Sequence, residues 1–153
     1  MSKNKSANEP VIEPIGHIAS NIYRMFLVAM NNSLAHLDID RFFYPITLIE
    51  NAGGTLTQQE LADKLKTDKA QVVRIIDYLS ENGYVIRSQN SHDRRKHALK
   101  ITEKAKRHIP EIREAIKKAN EILLNNLSEE KILELYSSLK IIENNISSYE
   151  KSG

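Results

Sequence analysis

A mainly α fold with a small β-wing is predicted for this 153-residue chain by three features. Most of the sequence carries apolar residues at helical period. In its middle, two short helical segments are separated only by Lys66-Thr67. Directly after them the period switches from 3.6 to 2 around a polar loop, the pattern of a hairpin.

The chain is organised around residues 68–83, DKAQVVRIIDYLSENG. Val72, Ile75, Ile76 and Leu79 fall at i, i+3, i+4 and i+7, a single apolar stripe that must pack on something. The other side carries Lys69, Ala70, Gln71, Val73, Arg74 and Tyr78. Asp68 can cap the N-terminus, with Gln71 three residues on closing a capping box, and Asn82-Gly83 supplies the stop. A helix buried on one side, and short, cationic and amide-bearing at the start of the other, suits entry into a DNA major groove. An ordinary amphipathic helix with a solvated face has the same stripe, so its neighbours decide.

Residues 1–10 read as a disordered tail. A first helix is expected from about Pro14 to Leu34, with Ile15, Ile18, Ile22, Met25, Phe26 and Ala29 on one face. A second begins near Asp38 or Asp40, carries Phe42, Phe43, Ile46 and Ile49, and stops at Gly53-Gly54; Pro45 within it predicts a kink or a tighter first turn. After the extended Thr55-Leu56, Thr57 and Glu60 form a capping box that opens a short helix with Leu61, Ala62 and Leu65 inward. Helix, tight turn and second helix make a helix-turn-helix. Tyr84–Arg87 and residues 97–101 then have strand composition around QNSHDRRK, so the hairpin is a wing. Thr102 caps a fifth helix to about Asn126, which Pro110 should bend or break. Ser128 starts a sixth helix with Ile132, Leu135, Tyr136, Leu139, Ile142, Ile146 and Tyr149 as its stripe. The small central module cannot cover the stripes of these long terminal helices, and packing against a second copy is the economical solution. The expected organisation is a tail (1–10), an N-terminal dimerisation helix (11–37), a winged helix-turn-helix core (38–101) and C-terminal dimerisation helices (102–150).

Composition narrows the function. The chain has no cysteine, so disulfides, thiolate metal sites and thiol redox sensing are excluded. No apolar run approaches the length of a membrane span, and a cytoplasmic protein is expected. The net charge of +2 says little, but eight Lys/Arg between Arg87 and Arg107 face only Asp93 and Glu103. That local basic stripe suits a phosphate-facing edge.

The segment LTQQELADKLKTDKAQVVRIIDYLSENGYVIRSQNSHDRRKHALKITEKAK closely resembles the core of the MarR family of bacterial winged-helix regulators, and LSEEKILELYSSL resembles the start of that family's last helix. The most specific match is Asp93-Arg94-Arg95, the family's Asp-x-Arg in the wing, with Arg87 before it and LKITEKAK after it. The resemblance implies a homodimer on a pseudo-palindromic site, usually a repressor, and often a small ligand that releases the DNA. By position it implies that Arg95 enters the minor groove and Asp93 orients the wing. Lys69, Gln71 and Arg74 would face the major groove, with Ala70 beside them. Pro45 and Pro110 depart from the family's pattern.

Residue chemistry adds detail. Gln71 can pair bidentately with adenine, a role that competes with its capping role, and Lys69 can reach guanine or a phosphate. Arg74 is nearer the groove wall. Arg94 and Lys96 suit backbone contacts that set affinity and salt slope. For a ligand wedged between the terminal helices and the module, His17, Tyr23, Arg24, His36 and Tyr44 are candidate lining groups, with Tyr23, Arg24 and His36 foremost. An Arg with Tyr and His suits an aromatic or phenolic carboxylate. No cofactor is expected. A metal sensor would need His36, Asp38 or Asp40, His108 and Glu111 to converge. A protein-binding winged helix, or a regulator without a ligand, is the other reading. Catalysis is rejected: Ser91-His92-Asp93 sit on a hairpin tip that cannot hold a triad, and Gly53-Gly54 is a helix stop.

Overall fold

The computed structural model describes residues 12–89 and 97–152. In chain order the elements are α1 (Ile15–Leu34), α2 (Phe43–Asn51), α3 (Gln58–Leu65), α4 (Lys69–Glu81), β1 (Val85–Gln89), β2 (His97–Ile101), α5 (Glu103–Leu123) and α6 (Glu129–Ser152). This is the mainly helical, winged helix-turn-helix architecture expected from the sequence. The chain divides into two compact units at residues 119/120.

In the first unit the core gathers around α4. Val72, Ile75, Ile76 and Leu79 are all buried, as their spacing requires, against Ile46 and Ile49 of α2, Leu61 of α3, Leu99 of β2 and Ile112 of α5 within one cluster. Each such side chain contributes roughly 2 kcal/mol by leaving water. β1 and β2 pair antiparallel with Val85 opposite Ile101 and Gln89 opposite His97. Thr55-Leu56, read as a plain link, does more. The Leu99 N–H donates to the Leu56 carbonyl at 2.7 Å, and Thr57 bridges to Ala98, so β2 ties the hairpin to the entrance of α3.

The module leaves most of the α1 stripe uncovered, as expected of a terminal helix: Ile15, Ile18, Ile22 and Met25 are exposed, whereas Met30 and Leu34 are buried and Phe26 and Ala29 pack at the core's edge. The core reaches only the C-terminal half of α1, which therefore carries two apolar stripes. α2 starts at Phe43, later than Asp38 or Asp40. Pro45 therefore sits in the first turn, where its missing N–H has no helical acceptor to lose. Pro110 does not break α5, which is continuous from Glu103 to Leu123; the residue is exposed, so water can hydrate the carbonyl its ring leaves unpaired. The first strand begins at Val85, one residue later than expected, leaving Tyr84 buried in the turn before it.

The second unit is dominated by α6. Ser128 Oγ accepts the Lys131 N–H at 3.3 Å, capping the helix at the start expected there. Leu135, Tyr136, Leu139, Ile146 and Tyr149 of its stripe are all exposed, as are Leu133 and Ile141 outside it.

Candidate nucleic-acid interface

The helix-turn-helix is fixed locally by its caps. Glu60 N–H donates to Thr57 Oγ1 at 3.2 Å and Thr57 N–H donates back to Glu60 Oε2 at 2.7 Å, the expected reciprocal box. At the turn Lys66 adopts a left-handed backbone with φ of 51°, and the Thr67 N–H returns to the Ala62 carbonyl at 3.1 Å. The chain thereby enters α4 at Asp68, whose Oδ1 accepts the Gln71 N–H at 2.8 Å. This second cap is one-sided. Among the described residues the Gln71 side chain forms no return bond, so its amide is left for other partners.

With the apolar stripe of α4 turned inward, Lys69, Ala70 and Arg74 are exposed and Gln71 is half-buried. Two cations and an amide thus stand on the first two turns, beside the positive end of the helix dipole, an arrangement that attracts phosphate. The wing-tip candidates Asp93, Arg94, Arg95 and Lys96 lie outside the described residues.

Part of the basic stripe is committed inside the protein. Arg87 Nη2 donates to Asp77 Oδ1 at 2.5 Å and its Nε to Gln58 Oε1 at 3.4 Å, joining β1 to α4 and α3. Lys104 Nζ donates to the Asn82 carbonyl at 2.8 Å and lies 4.3 Å from the centroid of the Tyr84 ring, closing the C-terminus of α4. Lys106 pairs with Glu103 at 2.6 Å. The aliphatic stem of Lys100 packs so closely on Gly54, at φ +86°, that a β-carbon there would stand 2.9 Å from Lys100 Cε. Sequence counting treats these cations alike; contacts across the fold separate them.

A second feature of the first unit lies beside α4. A cavity of about 400 Å³ is lined by Tyr23 and Phe26 of α1, Arg41 and Phe42 of the α1–α2 connection, Tyr44 of α2, Thr67 of the α3–α4 turn, and Gln71 and Ile75 of α4, among others. Of the sequence candidates, Tyr23 and Tyr44 line it. Arg24 and His36 do not: Arg24 donates to Asn21 Oδ1 at 3.0 Å, and His36 is engaged with α5. His17 pairs instead with Glu13 at 3.6 Å. The cationic lining group is Arg41, whose guanidinium carbon is 5.9 Å from the Phe42 ring centroid. Arg41 lies in the connection before α2, which begins at Phe43, a placement that the sequence reading did not give.

His36 and His108 meet at one carboxylate. Glu111 Oε2 lies 3.0 Å from His36 Nε2, and Glu111 Oε1 lies 2.5 Å from His108 Nδ1. The bond from His108, aided by His36, holds the Glu111 carboxyl below its ordinary range. Three of the groups considered for a metal thus come together, but among the described residues no group of three could hold a metal ion. The trio instead fastens the α1–α2 connection to α5. Beside it, burial raises the Tyr84 phenol above its usual value, with the Asp38 carboxylate adding to the shift.

Residues 46–97 match the model of the MarR family. Solved structures agree over nearly the whole chain. A MarR-family transcriptional regulator from Listeria monocytogenes, complexed with 26mer DNA, is 28% identical with a TM-score of 0.79, covering 93% of this chain and 97% of that one. A SlyA-like transcription regulator from Listeria monocytogenes is 28% identical with a TM-score of 0.78 over the same shares. A MarR transcriptional regulator from Methanosarcina mazei Go1 is 28% identical with a TM-score of 0.73, covering 88% of this chain and 96% of that one. No helix among the described residues is long and apolar enough to cross a membrane. Taken with the capped helix-turn-helix and its paired hairpin, these matches show a winged helix-turn-helix chain whose central module matches the MarR family and whose fold is that of MarR-family transcriptional regulators.

Proposed function

We propose that the protein is a homodimeric repressor that binds a pseudo-palindromic site in double-stranded DNA and is released from it by a small aromatic effector. The observation that carries the DNA reading is the outer face of α4. Lys69, Ala70 and Arg74 are exposed there, on a helix whose other face is buried and whose entry is fixed by the Asp68 cap. Gln71 adds an amide able to read adenine, Arg94 and Lys96 supply backbone contacts, and Arg95, oriented by Asp93, reaches a minor groove. The DNA complex of the Listeria regulator supports the same use of the fold.

Dimerisation is supported by the uncovered apolar residues of α1 and α6, which a single copy leaves to solvent. Two copies would set their α4 helices about one DNA turn apart, roughly 34–36 Å. The effector reading is supported by the aromatic-lined cavity with Arg41 among its lining groups. Its volume suits a small ring compound. The chemistry of the protein then lies in binding alone.

The testing experiment is selection of binding sites from random duplex DNA by the purified protein, followed by titration with salt. Enrichment of a two-fold-related sequence, bound by two copies with a steep salt dependence, is the expected result. Recovery of no shared sequence, with equal affinity for all duplexes, would remove the proposal.

A further inference from the structure

We infer that the centre of the outer face of α4 reads thymine through its 5-methyl group, with Ala70 and Val73 as the specificity-determining contacts. The inference rests on the DNA reading above and names the chemical group that this helix selects.

Two apolar residues of α4 take no part in the core. The buried stripe is Val72, Ile75, Ile76 and Leu79. At 3.6 residues per turn Ala70 stands almost diametrically opposite that stripe, and Val73, three residues on, borders it. Ala70 is exposed and Val73 is half-buried. Val73 belongs neither to the buried cluster nor to the partly buried hydrophobics packed against it. A β-branched side chain also gives up rotamer freedom in a helix, so helix formation does not favour valine there. Its apolar surface has no use inside the protein.

The polar groups of α4 leave this centre free. Lys69 and Arg74 are exposed and long enough to reach phosphates at the groove walls, which makes DNA the occupant of the face. Gln71 lies on the flank opposite Val73. Asp77, one turn beyond Val73, has a carboxylate able to accept from the cytosine amino group. Arg87 Nη2, however, donates to its Oδ1 at 2.5 Å. That pairing withholds the carboxylate from base reading and offsets a charge that would repel phosphate.

A methyl and an isopropyl group therefore meet the groove floor. Alanine, with the smallest side chain on that face, lets the helix approach closely. In the major groove thymine alone presents an apolar group, its C5-methyl. Methyl contact removes apolar surface from water on both sides and favours thymine over cytosine, which lacks the group. A purine edge in the same place would set a hydrogen-bonding group against an apolar wall.

The test uses the full-length protein on the operator obtained by selection from random duplexes. Each half-site thymine is replaced in turn by deoxyuridine, which removes one methyl and keeps every hydrogen-bonding group. Wild type should lose affinity by about 4-fold at each contacted thymine, the worth of one buried methyl. At those positions 5-methylcytosine should bind more tightly than cytosine. In Ala70→Gly and in Val73→Ala the uracil penalty should fall below about 2-fold at one thymine each and persist at the other. Arg74→Ala should bind every duplex more weakly and keep both penalties. The wild-type series needs no variant, so it decides the matter even where a substitution disturbs the helix.

Equal affinity for thymine and uracil throughout the half-site, on an operator bound selectively, overturns the inference and leaves the DNA reading standing. Penalties unchanged in both apolar variants give the methyl contact to other side chains and overturn the assignment to Ala70 and Val73. Failure of wild type to select any sequence overturns the underlying reading itself.

Discussion

Arg87 on the first strand of the wing donates through Nη2 to Asp77 Oδ1 on α4 at 2.5 Å. The wing is thereby tied to the helix proposed to read DNA by an ion pair as well as by backbone pairing. Both side chains are substantially exposed, 34% and 50%, so screening by water keeps the contribution to stability small. A double-mutant cycle with Arg87→Ala and Asp77→Ala should return a coupling of at most about 1 kcal/mol in urea unfolding. On DNA, Arg87→Ala should weaken binding by loosening the wing, with partial recovery in Arg87→Lys. Equal affinity of all three proteins would show that the pair does not position the wing.

The two caps of the helix-turn-helix make a separate prediction. Thr57→Ala and Asp68→Ala each strip a side-chain acceptor from a helix N-terminus and should each lower stability by about 1 kcal/mol. The two act on different helices, so the double variant should show nearly the sum. Chemical denaturation checks both; a loss confined to one variant would show that the other cap is replaced by water.

Core and surface apolar residues should respond in opposite ways. Ile76 is fully buried, and Ile76→Ala should cost about 2–5 kcal/mol. Ile18 and Ile22 are 40% and 50% exposed. Replacing both by Glu should leave the fold intact while driving the proposed dimer to monomer, as read by sedimentation equilibrium. A dimer that survives this pair of charges would place the interface elsewhere.

Acidification tests the Glu111 contacts. Its carboxyl is held below the ordinary 4.5, first by the bond from His108 and then by His36. A depressed carboxyl pKa means that the native state keeps its charge longer than the unfolded chain. The resulting stability is complete above the unfolded value and is lost as pH falls from there through the folded value. Wild type should therefore lose stability more steeply than Glu111→Gln below about pH 4.5, followed by thermal melting across the acid range. Parallel curves would mean that the contacts with His36 and His108 contribute nothing to pH dependence.

Local rules carried most of the fold. The capping box at Thr57, the Asp68 cap, the stripe of α4 and the switch to period 2 after Gly83 depend on neighbours in sequence, and each formed as expected. One local expectation failed, since Gln71 does not close a box with Asp68; the other differences were tertiary. The stripe of α1 could be seen, but which half of it meets the core depends on where α2 and α5 pack. Pro45 read as a kink or a tighter first turn, and Pro110 as a bend or a break, because helix starts and solvent-facing sides are set by the rest of the fold. The site divided in the same way. Lys69 and Arg74 are exposed because the opposite face of α4 is apolar, a local consequence. The commitment of Arg87 to Asp77 spans ten residues and a change of element, and Arg41 joins Tyr23 at the cavity only through the turns of the α1–α2 connection.

The most direct test of DNA reading by α4 is the salt dependence of operator affinity for wild type, Lys69→Ala and Arg74→Ala. If the exposed cations of α4 meet phosphate, each substitution lowers affinity and flattens the logarithmic salt slope by about one. Unchanged affinity and slope in both variants, on an operator that wild type binds tightly, would contradict the assignment of this face to DNA.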